Sequence, residues 1–443
     1  MTFSFKHRNI YFVLLSTCAI FASKLFIDVR MKNLVAILFT VCFFSTCATL
    51  DTRQAKIRTG IEMLKADNFK ILKGKKVGLI TNPTGVDHNM KSTIDIFYES
   101  PDVNLVALYG PEHGVRGNFH AGSYVESQDD QITGIPVYSL YGSTRKPTKE
   151  MLKDIDVLVY DIQDIGCRSF TFISTMGLAM EAAAENNIEF VVLDRPNPLG
   201  GQKIEGSIVE DKFKSFVSQY KIPYIYGLTC GELAMLINEE KMISKQCKLH
   251  IIKMKGWNRK MIYTETGLQW IAPSPHIPQA ITACFYPSSG ILGELGSLSI
   301  GVGYTMPFQL FGAEWINAEE FSGALNALNL DGLYFRPISF NPFYGVGTGK
   351  NYHGVQVHIT DYEKARLTDI QFHVMQIIAR LYPEKAIIAN ADESRFEMFD
   401  KVLGSNFIRI NFAKKNRFDD IRDYWYKDID NFRKLSTKYY LYK

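Results

Sequence analysis

Val103-Asn104-Leu105-Val106-Ala107-Leu108-Tyr109 is an apolar-rich run that stops at Gly110-Pro111-Glu112-His113-Gly114. The pattern recurs twice. Val157-Leu158-Val159-Tyr160 runs into Asp161-Ile162-Gln163-Asp164, with Arg168 just beyond, and Phe190-Val191-Val192-Leu193 runs into Asp194-Arg195-Pro196-Asn197-Pro198. Short apolar runs bounded by turn residues read as strands. In a parallel α/β sheet the carboxyl ends of the strands share one edge, and ligands bind in the crevice there. The three runs therefore bring Glu112, Asp161, Asp164, Arg168, Asp194 and Asn197 to a common edge. Carboxylates crowded with arginines at the mouth of a sheet suit acid/base chemistry on a polar substrate.

The flanking sequence supports that architecture. Lys76 to Thr81 and Ile135 to Leu140 read as further strands, and Leu249 to Met254 as another. Arg58 to Ala66, Ser92 to Tyr98, Lys149 to Lys153, Thr171 to Ala184 and Leu233 to Asn238 read as helices, the last opened by a capping box of Thr229 and Glu232. Alternating strands and helices give an α/β class with a Rossmann-like parallel sheet covered on both faces. From about residue 305 the pattern changes. A strand over Gly354 to Ile359, a helix over Asp369 to Arg380 and an aromatic-rich tail define a smaller α+β C-terminal domain. The expected organisation is a leader and tether over 1–55, a Rossmann-like catalytic domain over 56–304, and the smaller domain over 305–443.

The chain has 443 residues, 46% hydrophobic and 22% charged, with 50 basic and 46 acidic residues and a net charge of +4. That balance, with no long basic run, argues against a nucleic-acid partner. At the N-terminus, apolar stretches at Ile10 to Ala22 and Leu34 to Phe44 each follow basic residues, and each is short for a membrane span. The second has the order of a secretory signal, and Met31 is a candidate start for it. Phe43-Phe44-Ser45-Thr46-Cys47 resembles a bacterial lipobox with Cys47 as the lipidated residue. A plain signal peptide and an N-terminal anchor are the alternatives, and all three place the domain outside the cytoplasm. Cys167, Cys230, Cys247 and Cys284 form no C-x-x-C pair and read as buried thiols.

Each candidate has a bland counterpart. Glu112, fixed between Pro111 and Gly114, suits a general acid, which needs a raised pKa; the counterpart is a structural turn. Asp161 and Asp164 suit a base or a sugar-hydroxyl ligand, and Asp164 equally suits a helix N-cap. Arg168 pairs with a carboxylate or grips a substrate carboxylate in bidentate fashion. The rigid loop of Asp194, Arg195 and Asn197 reads as substrate contact or as a staple. Glu205 is a weaker candidate, and Glu232 is explained by its capping box. His113, His120 and His276 match no metal-ligand spacing, so no metal is expected. His276, in a proline-rich loop, suits a hydrogen bond to substrate or backbone. No G-x-G-x-x-G follows the first strand and no G-x-S-x-G is present, which disfavours dinucleotide cofactors and serine hydrolysis; no cofactor is expected.

The ordered motifs Gly110-Pro111-Glu112-His113-Gly114, Asp161-Ile162-Gln163-Asp164 with Gly166 and Arg168, Leu193 to Pro198, Gly231-Glu232-Leu233, and Tyr286-Pro287 into Pro307-Phe308 resemble one family. It is the former domain of unknown function 1343, glycoside hydrolase family 171, the exo-β-N-acetylmuramidases of the NamZ type. The resemblance covers about residues 56 to 443. It implies a Rossmann-like N-terminal domain, a smaller C-terminal domain and a cleft between them. It further implies release of terminal N-acetylmuramic acid from the non-reducing end of peptidoglycan chains or muropeptide fragments, with Glu112 as the acid. The second carboxylate stays open among Asp161, Asp164 and Glu205. Arg168 or Arg195 suits the lactyl carboxylate of muramic acid, and the binding set is completed by His113, Asp194, Asn197, Glu205 and His276. The alternatives are a non-catalytic lipoprotein that binds muramyl fragments and a hydrolase of another cell-wall bond.

Overall fold

The computed structural model describes residues 57–117 and 128–443. Cys47 and His120 lie outside them. Lys56–Lys443 form one compact unit. Seven strands build the main sheet: β1 (Lys76–Thr81), β2 (Asn104–Gly110), β3 (Gln128–Asp129), β4 (Pro136–Ser139), β5 (Val157–Asp161), β6 (Glu189–Leu193) and β7 (Lys248–Ile252). Their order is β3-β4-β2-β1-β5-β6-β7. Six are parallel, and β3 is an antiparallel edge against β4. Without β3 this is the doubly wound order. The chain moves outward from β1 through β2 and β4, then returns to β1's other side with β5, so the switch point lies between β1 and β5.

Side chains of successive strand residues point to opposite faces, so an all-apolar strand can feed two cores. Val157 and Val159 pack with α1 (Gly60–Ala66) and α2 (Thr93–Glu99). Leu158 and Tyr160 pack with α3 (Phe172–Glu185) and α4 (Cys230–Glu239). The capping box of α4 is present: Thr229 Oγ1 accepts from the Glu232 amide at 3.2 Å, and Glu232 accepts from the Thr229 amide at 3.1 Å. Residues 149–153, expected to be helical, form turns instead. A stretch that short gains too few hydrogen bonds to offset helix nucleation.

The second region carries a three-stranded antiparallel sheet in the order β8-β10-β9, with β8 (Leu310–Ala313), β9 (Leu333–Phe340) and β10 (Tyr352–Ile359). Around it lie α5 (Ala280–Gly293), α6 (Ala318–Asn326), α7 (Asp369–Leu381) and short helices between Ile387 and Ser436. Pro287 sits inside α5. The buried amide of Gln371 on α7 ties the two helices together just beyond it: its Nε2 donates to the Pro287 carbonyl at 3.1 Å and its Oε1 accepts from the Leu292 amide at 3.0 Å.

The two regions share one apolar cluster, in which Ile165, Cys167 and Tyr224 pack with Phe311, Val355, Phe372 and Trp425. Polar rivets cross the same junction. Arg168, 1% exposed, donates Nε to Ser218 Oγ, Nη1 to the carbonyls of Ser207 and Ile222, and Nη2 to those of Val402 and Leu403, at 2.7–3.2 Å. Burial without a carboxylate partner pushes this guanidinium down to about 10. Glu205, fully buried, accepts from the amides of Leu367 and Thr368 and from Thr368 Oγ1. Removing the guanidinium leaves several buried carbonyls unpaired, each costing about 1–3 kcal/mol. Arg168→Met should therefore lower stability by about 3 kcal/mol or more, read as a drop in the urea unfolding midpoint. An unchanged midpoint would contradict the rivet.

Candidate active site

Glu112 stands on a strained turn. Gly110 ends β2, and the Gly114 amide closes the turn by donating to the Pro111 carbonyl at 2.9 Å. His113, the third residue of the turn, has φ +72°. A type II turn needs positive φ there and normally uses Gly; an L-residue in that region costs about 1–2 kcal/mol. Strain of this kind, held beside an acidic side chain, makes the turn a candidate functional position. Gly110 eases the close approach, because a Cβ would lie 3.2 Å from the Gly114 Cα. Downstream, Arg116 grips both carboxylate oxygens of Asp130 at 2.9 and 3.0 Å and reaches Asp95 at 3.1 Å. That network ties the turn to the β3–β4 hairpin and α2, and the Arg116 hydrogen bonds hold Asp130 down to about 2.

Several side chains converge on Glu112. Tyr141, just beyond β4, is hydrogen-bonded to it; burial, then the Glu112 charge and hydrogen bond, push the phenol up to about 12 against the opposing charge of Arg145. His276 is lowered by burial and by neighbouring His113, with Glu112 acting in the other direction. The His276 ring stacks on Tyr344 with centroids 6.0 Å apart. Burial raises Tyr286 well above the usual phenol range, and Glu294 and Glu112 both add to that rise. The Tyr286 hydroxyl meets Ser169 Oγ at 3.0 Å, which meets Tyr224 at 2.9 Å. Phe308 packs edge-on to Tyr286 at 4.9 Å and carries φ +67°, a second strained residue on this wall. Glu294 caps α5 at its C-terminal end; burial raises its carboxyl, and Arg395 opposes that.

Other sequence candidates have different surroundings. Asp161, fully buried at the end of β5, takes Arg195 Nε and Nη2 at 2.6 and 2.9 Å and Thr93 Oγ1 at 2.5 Å. Arg195 also donates to the Val86 carbonyl and lines a cavity of about 230 Å³ with Thr84, Gln163 and Tyr263, beside the switch point. Asp164, buried, accepts from the Gly166 amide at 2.7 Å and from the Tyr226 hydroxyl. It is a turn staple rather than an N-cap of α3, whose N-cap is Thr171. Asp194 accepts from Thr229, the Gly231 amide and the Tyr442 hydroxyl, tying the C-terminal tail to the sheet. Asn197 spans the Leu199 amide and the Leu228 carbonyl. Arg168 and Glu205 are the rivets described above. Arg168 has no N–H left for a substrate carboxylate, because all five are used within the protein. Thus Glu112, His113 and His276 come together, Asp161 and Arg195 pair beside the switch point, and Arg168, Asp194, Asn197 and Glu205 hold the scaffold.

Family models place the chain. The N-terminal domain model of the exo-β-N-acetylmuramidase NamZ matches residues 77–281, and the C-terminal domain model matches residues 284–442. The chain belongs to the NamZ family. It is 45% identical over 390 residues to the peptidoglycan β-N-acetylmuramidase NamZ of Bacillus subtilis (strain 168), covering 88% of this chain and 92% of that protein. Two solved structures described as DUF1343 family proteins of Bacteroides fragilis NCTC 9343 share the NamZ fold. One is 66% identical with a TM-score of 0.85, the other 29% identical with a TM-score of 0.70; each match covers 88% of this chain and 99% of that structure's chain.

Tyr141, Arg145 and Glu294 near Glu112 were not among the sequence candidates, and Tyr286 entered only as part of a family motif. Tyr141 follows the end of β4, a strand outside the three runs whose ends carry Glu112, Asp161 and Asp194. Among the described residues, no group of three or more His, Cys, Asp or Glu is placed to hold a metal, and no helix is long and apolar enough to cross a membrane.

Three raised carboxyls dominate the pH response of the fold, opposed by His373, which burial lowers to about 4. Burial raises Asp164 and Asp194 to about 6 and Asp369 to about 7, from an ordinary 3.8. Folded protein then binds more protons than unfolded chain between those limits, so this contribution is full below about pH 4 and is lost as pH rises through about 6–7. Thermal unfolding should occur at a higher temperature near pH 5 than near pH 8, and Asp369→Asn should shrink the difference. A midpoint that rises from pH 5 to pH 8 would refute this account.

Proposed function

We propose that this chain is an exo-acting glycosidase that releases terminal, non-reducing N-acetylmuramic acid from peptidoglycan chains or muropeptide fragments. Family membership supports the reaction class. The geometric observation that carries the assignment is Glu112, held on a strained turn at a strand end, bonded to Tyr141 and neighboured by His276. In this reading Glu112 protonates the glycosidic oxygen as the bond to the leaving sugar breaks, and Tyr141 orients its carboxyl. Glu294, whose charge acts on Tyr286 as that of Glu112 does, is the second carboxyl in this reading, acting on water or on the anomeric carbon. Asp161 holds Arg195 in place instead. Carboxyl groups roughly 5–5.5 Å apart give retention, and roughly 6.5–9.5 Å give inversion. Arg145, exposed beside Tyr141, offers its charge to the lactyl carboxylate, the role that Arg168 has no free N–H to fill. Export and lipidation at Cys47 complete the proposal, supported by the leader sequence alone.

The direct test is release of free N-acetylmuramic acid from the MurNAc-β-1,4-GlcNAc disaccharide. Wild type should release it. Glu112→Gln and Glu294→Gln should each lower kcat by about 100-fold or more with the unfolding midpoint preserved. Release by Glu112→Gln at the wild-type rate removes Glu112 from the mechanism, and absence of release by wild type removes the reaction.

A further inference from the structure

The loop between β9 and β10 displays an apolar face where a polar tip would be expected. Phe343 is 68% exposed and Tyr344 52%. Exposed aromatics grouped in this way mark a contact surface. They are also held rigidly. The Phe343 amide donates to the Gly303 carbonyl at 2.7 Å, and the Gly349 amide to the Pro342 carbonyl at 3.2 Å. Gly303 has φ +91°, and a Cβ on it would fall 1.8 Å from the Tyr344 carbonyl oxygen, so only glycine admits this approach. Behind Phe343 stands Tyr304 with ring centroids 5.6 Å apart, and behind Tyr304 stands Phe340 at 5.5 Å. At the other end the Tyr344 ring lies nearly parallel to His276 (24°), which stands within the electrostatic reach of Glu112. An aromatic wall therefore leads from the neighbourhood of the proposed acid out to solvent.

We propose that Phe343 and Tyr344 form the leaving-group subsite, a stacking platform for the β-1,4-linked N-acetylhexosamine next to the sugar being removed. This rests on the muramidase reading given above. An exo-acting enzyme encloses only the terminal sugar, so the rest of the chain must leave past an open wall. A β-1,4-linked pyranose presents axial C–H bonds on its ring faces, and such faces lie flat on aromatic rings. Continuity with His276 favours a sugar over a second protein copy, because the platform begins at the site and not on a remote face.

The test is calorimetric titration of full-length Glu112→Gln, which keeps substrate uncleaved, with two ligands: N-acetylmuramic acid and a tetrasaccharide of alternating MurNAc and GlcNAc. In that background, Phe343→Ala and Tyr344→Ala should each weaken tetrasaccharide binding by about tenfold, with a much smaller change for the monosaccharide. Tyr344→Phe should restore tetrasaccharide binding, because the ring and not the hydroxyl does the stacking. Equal weakening of both ligands, or no change for either, overturns the platform while leaving the muramidase reading in place. A change in oligomeric state on sedimentation, without a change in affinity, overturns it in favour of a self-contact. If the parent variant binds neither ligand and wild type cleaves no disaccharide, the muramidase reading and the platform fall together.

Discussion

The Arg168 guanidinium is the constraint on which the rest of the molecule depends. It is a full charge in a dry junction with no carboxylate beside it, solvated by four carbonyls and one hydroxyl from separated parts of the chain. Burying a charge is costly unless its hydrogen bonds are complete. Its planar fork sets the directions from which those partners must come. Segments at Ser207, Ser218 and Ile222 are thereby fixed against the C-terminal end of the helix Phe396–Leu403, nearly 200 residues further on. Gly404 closes the same contact, since a Cβ there would lie 3.0 Å from Arg168 Nη2. Glu205 on Thr368 and Asp194 on Tyr442 repeat the device with carboxylates.

A junction fixed in this way makes a composite site workable. Glu112 and Tyr141 come from the ends of parallel strands, whereas His276, Tyr286, Glu294 and Phe308 come from the proline loop and the elements after it. Proton transfer needs its groups placed within hydrogen-bond reach, so two walls from distant sequence must not slide against each other. The left-handed His113 and Phe308 are tolerated for the same reason: packing around them over-determines the backbone. Stability distributed across the junction offsets strain concentrated at the turn.

Much of the fold was legible because it depends on local pattern. The apolar runs at Val103, Val157 and Phe190, the capping box at Thr229 and the turn at Pro111 all declare themselves within a few residues. The roles of charged residues at strand ends were less legible. Arg168, Asp194 and Glu205 read as substrate contacts because a buried rivet and a ligand-binding side chain look alike in sequence. What separates them is a partner more than 150 residues away. The strand β9 was missed because Pro337 interrupts it and its burial does not alternate cleanly. Glu294 lies at the C-terminal end of α5, a helix that Pro287, Gly290 and Gly293 disguise in the sequence.

The central claim is that Glu112 acts as a proton donor and not merely as a structural carboxyl. The most direct measurement compares Glu112→Gln with wild type on two β-N-acetylmuramides: one with GlcNAc as leaving group, the other with 4-nitrophenol, which departs without a proton. The account predicts a loss in kcat of about 100-fold or more on the disaccharide and a far smaller loss on the aryl glycoside. Equal losses on both substrates would contradict it, and would return Glu112 to the part of a carboxyl that shapes the turn.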